Sequence, residues 1–382
     1  MDKKVAIVGY KQTRHKSETE LTRERMIYEL VQSLFRDLGI TRDDVDTFLM
    51  ASNDFHDGRT ISNVYTVPRV GAYMKDEGKV EMDGANACMY GAMRILSGLY
   101  DTALITGYSL GGSEFRTQLV MWYMLDPVYE RQMGLMNELS AAALQARAYM
   151  LKYGATEEQL AKTAAKSLRN AAGNPNALRR MADASPADVT GSRPLYSPLH
   201  ELHCYPDTDG ACAVLLASEK RAKSLTDKPV WVLGMGQFQE TYYLGERDLA
   251  RSESLPLAAQ RAYRMAGVTN PRREIGVAEV HANFAHQEWI IAEGLGLFDE
   301  GKAAQAIADG AADAGGAMPI NPSGGALGAH PICATGLIRI AEAASQLRGD
   351  AGEMQVKSPK LAVAHGQDGV CAQANTVMVL GV

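Results

Sequence analysis

The sequence lacks the features that mark several large classes of protein. Its five cysteines are an odd number without clustered spacing, which favours free thiols in a reducing compartment over a disulfide framework. No apolar run is long enough to span a bilayer, and the first residues enter a buried-strand pattern rather than a signal peptide. A net charge of -6 provides no basic excess for nucleic acid. We therefore expect a cytoplasmic protein that binds neither a membrane nor a nucleic acid.

Motifs for metals and nucleotides are also missing. Residues 200–204 (HELHC) fail the H-E-x-x-H zinc pattern, because Cys204 stands where the second histidine would be. No phosphate-binding loop G-x-x-x-x-G-K-[ST] occurs. Gly234 and Gly236 follow a predicted strand, but the third glycine of a dinucleotide fingerprint does not follow. We expect no metal site and no covalently bound cofactor.

What the sequence does contain is an alternation of strand and helix patterns that occurs twice. The first copy has predicted strands at 5–8, 47–50, 80–82 and 102–106, with a helix at 23–38. The second has predicted strands at 230–233, 277–280, 361–364 and 376–380, with helices at 257–266 and 331–347. Alternating strands and helices indicate an α/β fold, and the repeated order indicates an internal duplication.

A segment unlike either copy lies between them. We predict an N-terminal half at 1–109 plus about 200–229, a mostly helical insert at 110–199, and a C-terminal half at 230–382. Helices are expected at 138–152 and 157–170. Methionines and aromatic residues gather at 121–136, which suits either packing against another surface or a pocket for a bulky acyl group.

Two residues that carry chemistry occupy matching places in the two copies. In the first copy, Cys88 lies at the start of a helix predicted to begin at Asn86, and in the second copy His330 precedes Pro331 at the predicted start of the matching helix. A helix N-terminus favours a thiolate, and a nearby imidazole can accept its proton. Taken separately, a cysteine such as Cys88 in an apolar helix is more often a small core residue, and His330 is equally a helix cap. If a two-fold axis relates the two copies, Cys88 and His330 face each other and can act as a nucleophile and its base.

These motifs resemble those of a known family. Residues 321–331 (NPSGGALGAHP), followed by ATG at 334–336, are similar to the thiolase signature N-P-x-G-G, G-H-P, A-T-G. Residues 207–213 (DTDGACA) resemble the thiolase segment S-D-G-A-A-A, and residues 87–91 (ACMYG) the segment of the nucleophile. The sequence is thus identified as a member of the thiolase superfamily, in the branch of sterol carrier protein and archaeal acetoacetyl-CoA thiolases. The resemblance covers the chain in order.

The resemblance implies a thiolase fold: two βαβαβαββ halves in a layered αβαβα arrangement with a helical loop-domain insert. It implies Cys88 as nucleophile and His330 and His281 as further catalytic residues. Residues 280–284 (VHANF) stand where this branch carries H-D-A/C-F, so Ala282 and Asn283 depart from the pattern. Asn283 is a candidate oxyanion or substrate contact.

The second cysteine that many thiolases use is absent from residues 364–371 (AHGQDGVC). His365 is therefore a candidate acid/base beside His281. The backbone N–H of Gly366 or Gly369, together with that of Cys88, is a candidate oxyanion hole.

The implied function is an acyltransferase that cleaves a 3-oxoacyl-CoA with coenzyme A, or runs the reverse Claisen condensation, through an acyl-cysteine. The insert allows a bulky aromatic substrate such as benzoylsuccinyl-CoA. The implied partners are acyl-CoA and CoA, a second copy in a homodimer or higher oligomer, and a small OB-fold, zinc-ribbon subunit. Two alternatives stay open: a non-catalytic acyl-CoA-binding or scaffold subunit, and another condensing enzyme of the fold.

Overall fold

The structure is a computed structural model that describes residues 4–115 and 117–382. Its strands are β1 (Val5–Gln12), β2 (Thr47–Ala51), β3 (Asp76–Val80), β4 (Thr102–Leu110), β5 (Pro194–Tyr196), β6 (Leu199–His200), β7 (Asp209–Ser218), β8 (Val230–Gln239), β9 (Val277–Val280), β10 (Leu361–Asp368) and β11 (Ala374–Gly381). Its α-helices are α1 (Arg23–Leu38), α2 (Asp54–Asp57), α3 (Val67–Val70), α4 (Gly84–Ser97), α5 (Thr117–Met121), α6 (Glu138–Tyr153), α7 (Glu157–Ala172), α8 (Pro186–Gly191), α9 (Glu219–Leu225), α10 (Ser254–Ala266), α11 (Pro271–Glu274), α12 (Ala285–Gly294), α13 (Ala303–Ala308), α14 (Gly325–Gly328) and α15 (Thr335–Arg348).

Nine strands form one sheet whose order is the same read outwards from its centre in either direction. The order is β3-β2-β4-β7-β1-β8-β11-β10-β9. On one side of the centre the order is β1, β7, β4, β2 and β3, so the first strand of that half lies beside its last strand. On the other side the order β8, β11, β10 and β9 repeats this pattern for the second half. A parallel bridge between Ala278 and Ile320 continues the second half beyond β9. The predicted α/β class and internal duplication are confirmed.

The two halves meet where β1 lies antiparallel to β8, and only two residue pairs are in register there: Ala6 with Trp231 and Ile7 with Val230. Helices α4 and α15 pack against each other and contact strands of both halves. The apolar cluster around them draws residues from β1, β7, β10 and β11. Helix α1 covers the other face of the first half, and α10 covers that of the second. The starts of α4 and α15 therefore lie at the junction of the halves.

Small residues let these two helices approach closely. Gly84 is the first residue of α4, and a Cβ added to it would lie 2.6 Å from the Cβ of Leu337 in α15. A contact under 3.0 Å forces a shift of the backbone, so this position accepts only glycine without rearrangement.

Most of the predicted elements lie where the pattern placed them. The predicted helix at 23–38 is confirmed at both ends: Thr22 caps it through its side chain, and Gly39 ends it at φ 64°. The predicted strand at 80–82 is wrong apart from Val80, since β3 runs from Asp76 to Val80. This edge strand is charged and half-exposed, which hides the apolar alternation that the prediction relied on.

The insert carries helices α5 to α8 and the β5–β6 pair. Its helix α7 is attached to the second half by a buried ion pair, in which Lys166 Nζ lies 2.5 Å from Glu288 Oε1 on α12. The predicted boundaries of the insert and of the two halves stay predictions. None of the described helices combines the length and the apolar character that crossing a bilayer requires.

Candidate functional site

A cavity lies at the junction of the halves. The described residues that line it are Asn53, His56, Met82, Asp83, Met121, Met124, Glu138, His281, Asn283, His330, Ile332, Cys333, Gln367, Asp368 and Gly369. Both halves and the insert contribute to this lining. Its lining combines apolar walls with convergent polar groups, as small-molecule sites usually do.

His330 is held in one orientation by the chain on either side of it. It lies in an extended segment before α15, and its backbone N–H donates to Thr208 Oγ1 at 3.1 Å. Its ring Nδ1 is 2.8 Å from Thr335 Oγ1, whose own hydrogen is donated to the carbonyl of Pro331 at 3.0 Å. The hydroxyl can therefore only accept from the ring, which puts the hydrogen on Nδ1 and leaves Nε2 with a free lone pair.

Burial is the main reason that His330 is neutral. Removal from water lowers its pKa well below the ordinary value, and the nearby His281 lowers it further. At neutral pH, His330 Nε2 is thus an uncharged proton acceptor in a site with little water.

His281 faces His330 with the opposite hydrogen-bonding character. The two ring centres are 5.1 Å apart. His281 Nδ1 accepts from the backbone N–H of Gln367 at 3.3 Å, which places the hydrogen on Nε2. Nε2 is buried and has no hydrogen-bond partner within residues 4–115 and 117–382. The cavity therefore holds one imidazole that accepts and one that donates.

Asp83 connects this pair to both helices. It is the N-cap of α4, where Oδ1 accepts from the N–H of Ala85 at 2.9 Å. Its Oδ2 accepts from the N–H of Gly336 in the first turn of α15 at 2.9 Å, and lies 3.4 Å from His281 Nδ1. One carboxylate thus serves the N-termini of two helices, where a negative charge is favoured.

A second carboxyl group in the cavity belongs to Asp368, at the end of β10. Burial, followed by the charge of Asp83, raises the pKa of Asp368 to about 6. The N–H of Gly369 donates to Asp368 Oδ1 at 2.7 Å. This carboxyl group therefore changes its protonation close to physiological pH.

Asn283 is fixed by another buried acid. Its Nδ2 donates to Glu138 Oε1 at 3.1 Å, and the hydroxyl of Tyr205 donates to the other oxygen of the same carboxylate at 2.7 Å. The Asn283 Oδ1 atom is left without a partner in the described part of the chain. Asn283 lines the cavity and presents an acceptor there rather than an oxyanion donor; its predicted contact with the substrate stays a prediction.

The structure does not bring Cys88 into this cavity. The prediction placed the start of its helix at residue 86, but α4 begins at Gly84, so Cys88 lies in the second turn with its backbone N–H already within the helix. The side chain is fully buried in the apolar cluster between the halves, and burial raises the pKa of its thiol to about 12. All five cysteines are free and buried, but of these Cys333 lines the cavity.

The start of the second helix also differs from the prediction. A short 3₁₀ turn, Ile332–Ala334, separates His330 from α15, which begins at Thr335. His330 therefore precedes the helix rather than forming its first turn, and the side chain that it meets there is Thr335.

The three candidates in the C-terminal loop, His365, Gly366 and Gly369, have different surroundings. His365 is fully buried inside β10, where its Nε2 is 2.9 Å from Asn375 Oδ1, and it is not among the residues of the cavity lining. Gly366 packs against the start of α4, where an added Cβ would lie 2.4 Å from Asp83 Oδ1. Gly369 does line the cavity, but its N–H is taken by Asp368. Gly369 therefore offers no free N–H as an oxyanion donor in this arrangement.

Sequence reasoning missed Asp83, His56, Cys333 and Asp368. A signal existed for Asp83, because an Asp before Gly-Ala at the start of an apolar helical pattern is a typical N-cap. Cys333 lies three residues after His330, within the very motif that carries the resemblance. His56 and Asp368 had no local signal, since their place in the cavity depends on the fold.

Comparison with known proteins agrees with this architecture. Residues 236–382 match a family described as thiolase C-terminal domain-like. The chain is 31% identical to an acetyl-CoA acetyltransferase of Methanothermobacter thermautotrophicus over 373 residues, which cover 96% of each chain. It is 34% identical to the benzoylsuccinyl-CoA thiolase subunit BbsB of Thauera aromatica over 237 residues, or 61% of each. The solved Ltp2-ChsH2(DUF35) aldolase has the same fold, with a TM-score of 0.86, 24% identity, and coverage of 99% of this chain and 98% of that one.

Proposed function

Because the chain belongs to the thiolase superfamily, we propose that it makes or breaks a carbon–carbon bond beside the carbonyl of a CoA thioester. The observation that carries the proposal is the pair of buried imidazoles, one accepting at His330 Nε2 and one donating at His281 Nε2. Such chemistry passes through an enolate, which needs a base for the proton and a donor for the oxygen.

Each imidazole has one part in this scheme. His330 Nε2 takes a proton from the carbon next to the thioester, or from the thiol of an incoming CoA. His281 Nε2–H donates to the thioester oxygen as negative charge develops there. The donor costs little to reorganise, because Gln367 already fixes the ring and Nε2 has no other partner in the described chain.

We propose a 3-oxoacyl-CoA as substrate, cleaved by CoA or formed in the reverse Claisen condensation. Coenzyme A is then a substrate, with no further cofactor. Met121 and Met124 of the insert line the cavity together with Ile332. Their flexible apolar side chains suit a bulky acyl group, and benzoylsuccinyl-CoA is one substrate of that class.

A second candidate is cleavage of a 3-hydroxyacyl-CoA without an acyl-enzyme. It is favoured by one observation: the N-cap of α4 presents a carboxylate, Asp83, and the first turn of the helix holds no sulfur. In that reaction His330 takes the hydroxyl proton, and the bond between the second and third carbons breaks to leave a carbonyl compound and an enolate beside His281. The enolate carbon then takes the proton back from His330. No thiol nucleophile and no free CoA are then needed.

The exposed surface supports the proposal of a protein partner. Exposed apolar side chains are concentrated in the segments next to the cavity residues Asn53, His56, Met121 and Met124. They are Phe55, Ile61, Val64, Tyr65, Leu119, Tyr123, Val128, Tyr129, Met133 and Met136. Surfaces of this kind mark interaction sites. We propose that a small OB-fold, zinc-ribbon subunit or a second copy of the chain covers them.

Two assays test the proposed function. In the first, acetyl-CoA is incubated with the protein in D₂O, and deuterium uptake at the carbon beside the carbonyl is followed by mass spectrometry. In the second, a 3-oxoacyl-CoA with CoA is compared with a 3-hydroxyacyl-CoA alone. CoA-dependent cleavage of the first supports the thiolase reaction; CoA-independent cleavage of the second supports the lyase. No exchange and no cleavage, with an excess of enzyme, would refute both.

A further inference from the structure

We propose that the acyl group is accepted by Cys333, with His56 as the acceptor of its proton. This inference rests on the proposed function and assigns the sulfur that a thiolase reaction at this site requires. Cys333 is the one thiol among the described residues of the cavity lining. Its Sγ atom lies 3.8 Å from Nδ1 of His56, which lines the same cavity.

The place of Cys333 in the fold suits a nucleophile. It lies in the turn Ile332–Ala334, between the base His330 and the first residue of α15. This turn packs against the start of α4, since a Cβ added to Gly84 would be 3.1 Å from the carbonyl oxygen of Cys333. The sulfur is thus supplied by the second half of the chain, at the junction where a thiol on α4 had been expected.

The cavity that Cys333 lines contains two buried polar atoms that a ligand can bind. His281 is 2% exposed and Asn283 is 8% exposed, yet His281 Nε2 and Asn283 Oδ1 have no hydrogen-bond partner within the described residues. Unsatisfied buried polar atoms are costly unless a bound molecule or water completes them. A thioester whose carbonyl oxygen accepts from His281 would satisfy one of them.

The surrounding charges favour an attack in which bond formation and proton transfer occur together. Burial raises the pKa of Cys333 well above its ordinary value, and Asp368 and Asp57 raise it further, so a free thiolate is disfavoured. Burial lowers the pKa of His56 to about 4, but Asp57 acts in the opposite direction and favours its cation. The ring of His56 also stacks on Phe115, with centroids 5.1 Å apart, which fixes its plane.

The step balances without an external reagent. The sulfur of Cys333 bonds to the keto carbon of the 3-oxoacyl-CoA, and its proton moves to His56 Nδ1. The bond between the keto carbon and the adjacent carbon breaks, leaving an acyl-cysteine and the enolate of a shortened acyl-CoA. The enolate carbon takes up the proton that His56 received. CoA then gives its thiol proton to His330 Nε2 and attacks the acyl group, and the sulfur of Cys333 leaves and takes that proton from His330.

The test locates the acyl group. The full chain is incubated with acetyl-CoA, quenched in acid, and analysed by intact mass and peptide mapping. We expect an acetyl adduct on Cys333 in the wild type and in C88S, and none in C333S or C333A. C204S is the matched control, because Cys204 is buried outside the cavity and donates to the carbonyl of His200, a hydrogen bond that serine can keep. Thermal unfolding verifies that each variant is folded.

Substitution of His56 tests its part separately. H56Q is expected to slow formation of the adduct by about 10²–10⁴-fold, the usual range for loss of a general base. An adduct on Cys88, or one that persists in C333S, would overturn the assignment. Deuterium exchange into acetyl-CoA with no adduct on any cysteine would also overturn it, while leaving the proposed enolate chemistry intact. If neither exchange nor adduct occurs, both proposals fail.

Discussion

Asp83 and Gly336 are joined by a hydrogen bond of 2.9 Å, in which the backbone N–H of Gly336 donates to the carboxylate that also caps α4. One side chain therefore completes the first turns of two helices from different halves of the chain. The same carboxylate lies 3.4 Å from His281. Assembly of the fold and orientation of the candidate site thus depend on one group.

Substitution at Gly336 tests how closely that carboxylate is held. An added Cβ would lie 1.7 Å from Asp83 Oδ1, so G336A must displace the cap or the helix. We expect G336A to lower the free energy of unfolding by about 1–3 kcal/mol, as overpacking usually does. G191A is the control, since nothing lies within 4 Å of its added Cβ. Equal urea midpoints for the two variants would contradict the described packing.

Loss of the proposed base is expected to reduce the chemistry without unfolding the chain. H330N should lower the rate of deuterium exchange into acetyl-CoA by about 10²–10⁴-fold, because Nε2 is the proton acceptor. H15Q is the control, since His15 is also buried but is not among the described residues that line the cavity. Exchange at the wild-type rate in H330N, with an unchanged melting temperature, would remove His330 from the mechanism.

Thr335 acts through His330 as a positioning residue. T335V removes the oxygen that accepts from His330 Nδ1, so the ring loses the contact that selects its tautomer. We expect kcat to fall about tenfold or more, which corresponds to about 1.4 kcal/mol in the barrier. T335S retains the hydroxyl and should recover most of the rate. If T335S were as slow as T335V, the hydrogen bond would not explain the loss of rate.

The fold could be predicted further from the sequence than the site could. Helix α1 was predicted at both ends because its cap, its apolar period and Gly39 agree locally. The edge strand β3 was misplaced because its charged sequence carries no alternation. Cys88 shows why the site was harder: an error of two residues in a helix start moves a side chain from the cavity into the core. His56 and Asp368 reach the cavity only through long-range packing, which no local pattern records.

The buried His365 should make stability depend on pH. Burial lowers its pKa to about 4 in the folded state, whereas an unfolded histidine titrates near its ordinary value of about 6.5. Between these values only the unfolded chain binds the proton, so stability falls as the pH falls, by up to about 1.4 kcal/mol per pH unit for this group. Unfolding in urea at pH 7.5 and at pH 5 should show the wild type losing stability relative to H365N. If the difference in unfolding free energy between the wild type and H365N were the same at both pH values, the predicted direction would be wrong.

The ion pair between the insert and the second half is expected to be sensitive to single substitutions. K166M leaves Glu288 charged and buried, which should cost about 3–5 kcal/mol. The double variant K166M/E288Q removes that charge and should recover part of the loss. The exposed pair of Lys162 and Glu158 on the same helix provides the control, where K162M should cost less than about 1 kcal/mol. Chemical denaturation of the wild type, K166M, K166M/E288Q and K162M measures these differences in unfolding free energy.

With only two registered residue pairs between β1 and β8, the backbone contributes little cohesion across the middle of the molecule. Cohesion there comes mainly from the apolar cluster that α4 and α15 form with strands of both halves. A ligand that fills the cavity contacts residues of both halves and should therefore stabilise their junction. Amide hydrogen exchange along that seam is where such tightening would first be detected.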